Sequence, residues 1–139
     1  MALAAQAPAE RLAALLDATG PAPETVWLRA PETGTVMVRG RAGGTGAPFN
    51  LGEMTVTRCA LTLPGASVEG HATVPGRDRD HARRAALLDA LMQTDEAARI
   101  DAAVLAPLEA EAAARARNRA AKAEATKVDF YTMVRGEDT

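Results

Sequence analysis

With 139 residues, 47% hydrophobic but only 3% aromatic, the chain is long enough for one domain whose core must be built mainly from Leu, Val and Ala. Its 16 basic and 18 acidic residues are interspersed and leave a net charge of -2, which excludes the concentrated positive field of a nucleic-acid-binding protein. Cys59 is the single cysteine, so no intrachain disulfide can form, and no apolar run reaches bilayer length; a soluble protein of the reducing cytoplasm is expected, with no membrane partner.

The opening residues Met1–Ala7 lack a basic leader and a long apolar stretch, so they do not read as a signal peptide. Leu12, Leu15 and Leu16 recur at helical spacing after Pro8, and Gly20-Pro21 ends the pattern, which predicts a short docking helix over residues 8–18. From Thr25 to Val74 the texture turns β-branched and alternating, with Val26 and Leu28, Val36 and Val38, Met54 and Val56, and Val68 and Val74 as the strand markers. Turn chemistry at Pro31-Glu32-Thr33-Gly34 and at Pro64-Gly65-Ala66-Ser67 divides this region into a four-stranded antiparallel meander. If the second turn closes a hairpin, Leu63 faces Val68, Leu61 faces Gly70, Cys59 faces Ala72 and Thr57 faces Val74 on the buried side. Arg58, Glu69 and His71 then share the opposite, polar surface.

Beyond Pro75-Gly76, Asp78 is a helix N-cap, and Ala85, Leu88, Leu91 and Met92 mark the inward stripe of a helix reaching about residue 93. A second helix is predicted over residues 95–105 and a third, opened by Pro107, to about residue 126. The third has few large apolar anchors after Leu108, so intrinsic propensity carries it. The fold class that follows is α+β, a four-stranded antiparallel meander packed with N-terminal and C-terminal helices, forming one domain over residues 1–139.

The most distinctive stretch is Gly43-Gly44-Thr45-Gly46-Ala47-Pro48-Phe49, a loop nearly free of side chains that ends in a bulky aromatic. Ordering so many glycines is entropically costly, so the loop is expected either to move or to be ordered by a second surface. It lacks the Lys-Ser/Thr of a phosphate-binding P-loop, and Phe49 breaks a dinucleotide fingerprint. Arg77-Asp78-Arg79-Asp80-His81 reads as capping plus solvation, although Arg77 precedes a helix start, where an anion is welcome. Cys59, His71 and His81 have no zinc spacing, and Thr45, His71 and Asp78 form no supported hydrolytic triad. Arg115, Arg119 and Lys122 follow Glu111 along one helix face and read as an ion-paired surface. Phe130 and Tyr131 either cover the domain's own core or meet a partner.

Taken together, the blocks Arg41–Phe49, Thr57-Arg58, Gly76–Ala82, Asp89–Gln93 and Val128–Gly136 resemble the PhnG family of the bacterial carbon–phosphorus lyase system. The resemblance runs from about Trp27 to Gly136. It implies an accessory subunit of the transferase in phosphonate catabolism that lets an alkylphosphonate displace adenine from ATP, giving ribose 1-alkylphosphonate 5-triphosphate. It also implies a hetero-oligomer with PhnI, which carries the nucleosidase activity, and with PhnH, PhnL and the iron–sulfur enzyme PhnJ. Such a chain is expected to be inactive alone, with no catalytic residue, metal or cofactor of its own; Mg-ATP is a substrate of the assembled system. Arg58, His71 and Arg77 are the candidates for touching substrate phosphates. Gly43, Gly44, Thr45, Gly46, Phe49, Phe130, Tyr131, Met133 and Arg135 are the candidates for partner contact. The competing classes are a free-standing small-anion-binding protein using the polar sheet face and an enzyme with its own site.

Overall fold

The computed structural model describes residues 2–43 and 46–128. Two short helices, α1 (Ala2–Gln6) and α2 (Ala9–Asp17), precede the strands β1 (Val26–Gly40), β2 (Phe49–Leu63) and β3 (Val68–Pro75). Helix α3 (Arg79–Leu91) follows, and a last helical run passes from α4 (Ala97–Ile100) through a π-helical turn (Asp101–Leu105) into α5 (Ala106–Ala125). The strands form one antiparallel sheet in the order β1-β2-β3.

The mixed α and β architecture agrees with the sequence reading, but the sheet of the described residues has three strands rather than four. Pro31-Glu32-Thr33-Gly34 does not turn; it lies inside β1, where the register slips between Trp27 and Arg29 and again between Arg29 and Glu32. Proline is tolerated there because β1 is an edge strand and Pro31 falls within the second slip, where it has no cross-strand partner. Cross-strand side chains then hold the segment extended. Glu32 opposes Arg58 and accepts from its Nε at 2.8 Å, and Thr33 opposes Thr57 with their hydroxyls 3.2 Å apart.

The hairpin between β2 and β3 has the expected register, from Leu63 opposite Val68 to Thr57 opposite Val74. Its turn is closed by the Ser67 amide, which donates to the Leu63 carbonyl at 2.9 Å. Thr57, Cys59, Leu61, Leu63 and Val74 are buried against α3, whose Ala82, Ala86 and Ala90 recur every four residues and are fully buried. This row of methyl groups lets the α3 backbone settle onto β3 at Gly70. A Cβ on Gly70 would stand 2.0 Å from the Ala86 carbonyl oxygen, so only glycine fits. The side chain of Asp89 ties the same pair of elements by accepting from the His71 amide at 3.0 Å.

Asp78 caps α3 as its position predicts, accepting from the His81 amide at 2.8 Å. His81 itself is not solvated. It is buried, and its Nε2 donates to the Ala4 carbonyl at 2.8 Å, which docks α1 onto α3. Leu12 and Leu16 of α2 enter the core, and Arg11 pairs with Glu111 of α5 at 2.8 Å.

The break expected between the last two helices is also absent. Pro107 stands in the first turn of α5, while residues 100, 105 and 106 keep right-handed helical backbone angles. With no amide hydrogen, Pro107 makes no bond to the carbonyl four residues back, so the preceding turn widens into a π-helix instead of ending. Ile100, Val104 and Leu108 then reach the core at spacings of four, and beyond residue 114 α5 is exposed.

Candidate functional site

The sheet presents its other face outward, and that face carries both the charged groups and the apolar surface on which a function can rest. Near the body, Arg58 stands opposite Glu32 and Thr73, and Ala60 stands opposite Arg29 and His71. Glu32 Oε1 accepts from Arg58 Nε at 2.8 Å and from Arg29 Nη1 at 3.4 Å, so one carboxylate oxygen draws both guanidinium groups together. His71 Nε2 lies 3.7 Å from Glu69 Oε2. Leu28, Arg29, Arg58, Ala60, His71 and Thr73 line an open concavity of about 450 Å³. Ala60 is nearly inaccessible, which makes it the recessed floor beneath exposed charged side chains.

Of the phosphate candidates taken from the sequence, Arg58 and His71 therefore meet in one concavity. Arg77 does not line it; it sits exposed on the connection between β3 and α3, after Gly76 with its positive φ of 88°. Arg29 and Glu32 were missed, because reading residues 31–34 as a turn put Glu32 in a loop and folded the strand of Arg29 away from Arg58. The available signal was charge: an acidic residue opposite Arg58 is what a longer β1 supplies.

Beyond the end of β3, residues 35–40 and 49–55 continue as a two-stranded arm about 20 Å long, with no third strand beside it among the described residues. Val36 opposes Met54, Val38 opposes Gly52, and Gly40 opposes Phe49. The slip after Val38 leaves Leu51 as the extra residue, and its side chain lies across Gly40. One face of the arm is thus Val36, Val38, Phe49, Leu51 and Met54, on the same side of the sheet as Arg58. The reverse face carries Thr35, Arg39, Asn50, Glu53 and Thr55, with Met37. Val36, Phe49, Leu51 and Met54 are between 38% and 57% exposed, although the polar reverse face shows that the arm is amphipathic rather than apolar throughout.

Phe49 belongs to this apolar face, and Gly43 and Gly46 flank the tip of the arm with positive φ of 81° and 113°. Gly44 and Thr45 lie outside the described residues, as do Phe130, Tyr131, Met133 and Arg135.

Cys59 and His71 point to opposite sides of the sheet, and burial pushes the Cys59 thiol up to about 11, so it is a protonated core residue near neutrality. Asp78 is engaged in capping His81. Among the described residues no set of three His, Cys, Asp or Glu side chains gathers to hold a metal. No described helix is long and apolar enough to cross a membrane. Glu111 pairs with Arg115 at 3.9 Å as well as with Arg11, as expected of an ion-paired helix face. A second cleft, of about 80 Å³, includes Arg83, Arg84 and Arg99, but Arg99 is already held by Glu96 and the Thr19 carbonyl.

The sequence matches the model of a family described as phosphonate metabolism protein PhnG over residues 1–136. It is also 45% identical over 138 residues to the alpha-D-ribose 1-methylphosphonate 5-triphosphate synthase subunit PhnG of Rhizobium meliloti (strain 1021), covering 99% of this chain and 88% of that protein. The match runs over nearly the full length and includes the residues of both the arm and α3. The chain belongs to the PhnG family of phosphonate metabolism proteins.

Proposed function

We propose that this chain is an accessory, cytoplasmic subunit of a ribose 1-alkylphosphonate 5-triphosphate synthase, supporting the displacement of adenine from ATP by an alkylphosphonate. Its companions in this reading are PhnI, which holds the nucleosidase chemistry, and PhnH, PhnJ and PhnL. The chain contributes no cofactor; Mg-ATP is the substrate of the assembled system. The relative from Rhizobium meliloti is named as a subunit of an alpha-D-ribose 1-methylphosphonate 5-triphosphate synthase, and that name supports the assignment.

The observation that carries the reading is the arm. An isolated ribbon with a row of exposed Val, Phe, Leu and Met side chains gains stability when another surface covers it, whereas its polar reverse face suits solvent. The glycines at its tip, with Phe49, and the tail residues Phe130, Tyr131, Met133 and Arg135 are assigned to the same partner contacts. By covering the nucleosidase subunit, this chain excludes water so that phosphonate becomes the attacking group.

The pure chain, with or without added metal, is expected to release no adenine from ATP in the presence of methylphosphonate, and release is expected once the companion subunits are added. Turnover by the pure chain overturns the accessory role. Failure to co-purify with any companion favours the free-standing anion-binding alternative.

A further inference from the structure

We propose that the concavity formed by Arg29, Arg58 and His71 is a binding site for a phosphorus oxyanion, the triphosphate or the phosphonate group of the synthase substrates. The proposal rests on the accessory-subunit reading above and gives this chain a direct hold on substrate within the assembly.

Three observations converge on that class of ligand. First, Glu32 uses one oxygen to draw Arg29 and Arg58 together, yet it engages only Nε of Arg58 and Nη1 of Arg29. Both terminal nitrogens of Arg58, together with Nε and Nη2 of Arg29, remain as donors beside the concavity, and paired guanidinium donors suit the tetrahedral oxygens of phosphate and phosphonate. Second, the polar rim surrounds a recessed apolar floor at Ala60, while His71 and Thr73 supply a ring nitrogen and a hydroxyl on the β3 side. Third, the apolar face of the arm lies on the same side of the sheet as this concavity. A companion subunit seated on the arm therefore extends toward Arg29 and Arg58 and shields them from water. That shielding is what such a site needs, because exposed guanidinium groups bind anions weakly in bulk water and far more strongly when desolvated.

The local charges make the site distinguishable from a plain cross-strand ion pair. If Arg58 and Glu32 serve only to hold β1 to β2, removing either one acts in the same direction. If the arginines hold an anion, Glu32 positions them while its charge repels the ligand. Glu32→Gln keeps an acceptor for Arg58 Nε and removes that repulsion, so it acts oppositely to Arg58→Ala.

The test uses the assembled complex, with KM for ATP and for methylphosphonate measured separately by adenine release. Arg58→Ala and Arg29→Ala are each expected to raise one of these KM values about tenfold with the complex still assembled. Glu32→Gln is expected to lower that KM, and Arg58→Lys to fall between Ala and the wild type. A rise for ATP identifies the triphosphate as the ligand, and a rise for methylphosphonate identifies the phosphonate. Unchanged KM values in the arginine variants, equal changes in Arg58→Ala and Glu32→Gln, or loss of assembly in Arg58→Ala each overturn the site. If instead the wild-type complex does not form or releases no adenine, it is the accessory-subunit reading that fails.

Discussion

The two halves of β2 live in different environments although they belong to one continuous strand. From Val56 to Leu63 it is flanked by β1 and β3 and backed by α3, and most of its side chains are buried. From Phe49 to Met54 it has β1 alone, and every residue is exposed. The comparison separates two uses of apolar residues. Leu61 and Leu63 stabilise this chain, whereas Phe49, Leu51 and Met54 contribute little to it and are available to another surface.

The sharpest way to break the body is Gly70→Val. The new side chain would have to enter the space of the α3 backbone at Ala86, which cannot move without displacing the helix from the sheet. A loss of more than about 3 kcal/mol, or failure to fold, is expected in urea or thermal unfolding. A tolerated Gly70→Val would mean that α3 does not lie this close to β3.

Leu61→Ala and Leu51→Ser sharpen the contrast within one strand. Leu61 is fully buried, so its truncation is expected to cost about 2–5 kcal/mol. Leu51→Ser on the arm is expected to change stability by less than about 1 kcal/mol while reducing co-purification with the companion subunits. Equal losses of stability in the two variants would place the arm within the chain's own cooperative core.

Cys59 gives the smallest and most local test. Its thiol is raised by burial from an ordinary value of 9.0 to about 11. The unfolded chain therefore loses this proton at a lower pH than the folded one, so the contribution of Cys59 to stability is fully present below pH 9.0 and falls away as pH rises toward about 11. Cys59→Ala should flatten that part of the stability profile relative to the parent. Native protein at neutral pH should also resist alkylation, and rapid labelling without unfolding would show that the inward side of β2 is open.

Much of the body is legible in the sequence because its signals are local. The turn at Pro64–Ser67 fixes the register of the β2–β3 hairpin, and that register alone assigns Cys59 and Leu61 inward and Arg58 and His71 outward. Asp78 announces its helix in the same way. The misreadings arise where a distant partner overrides a local preference. Pro31 and Gly34 have turn chemistry, but pairing of the segment with residues 56–58 keeps it in a strand, and the false turn hid both the place of Arg29 beside Arg58 and the arm. Likewise, His81 sits among charges in sequence, and only the carbonyl of Ala4, far away along the chain, gives its ring a buried partner. Half of the concavity on the outer face was thus readable from one hairpin, while the other half depends on a pairing that carries two register slips.

Thr57 marks the place where the arm leaves the body. Its hydroxyl proton goes to the Gly76 carbonyl at 2.8 Å, so the contact with Thr33 at 3.2 Å must be made by the Thr33 hydroxyl donating to Thr57. This relay binds β1 to β2 and β2 to the connection that starts α3, in a fully buried position and with a single direction of donation. In mechanical terms the root of the arm is therefore pinned from two sides, to β1 through Thr33 and to the approach to α3 through Gly76, rather than left as a free hinge.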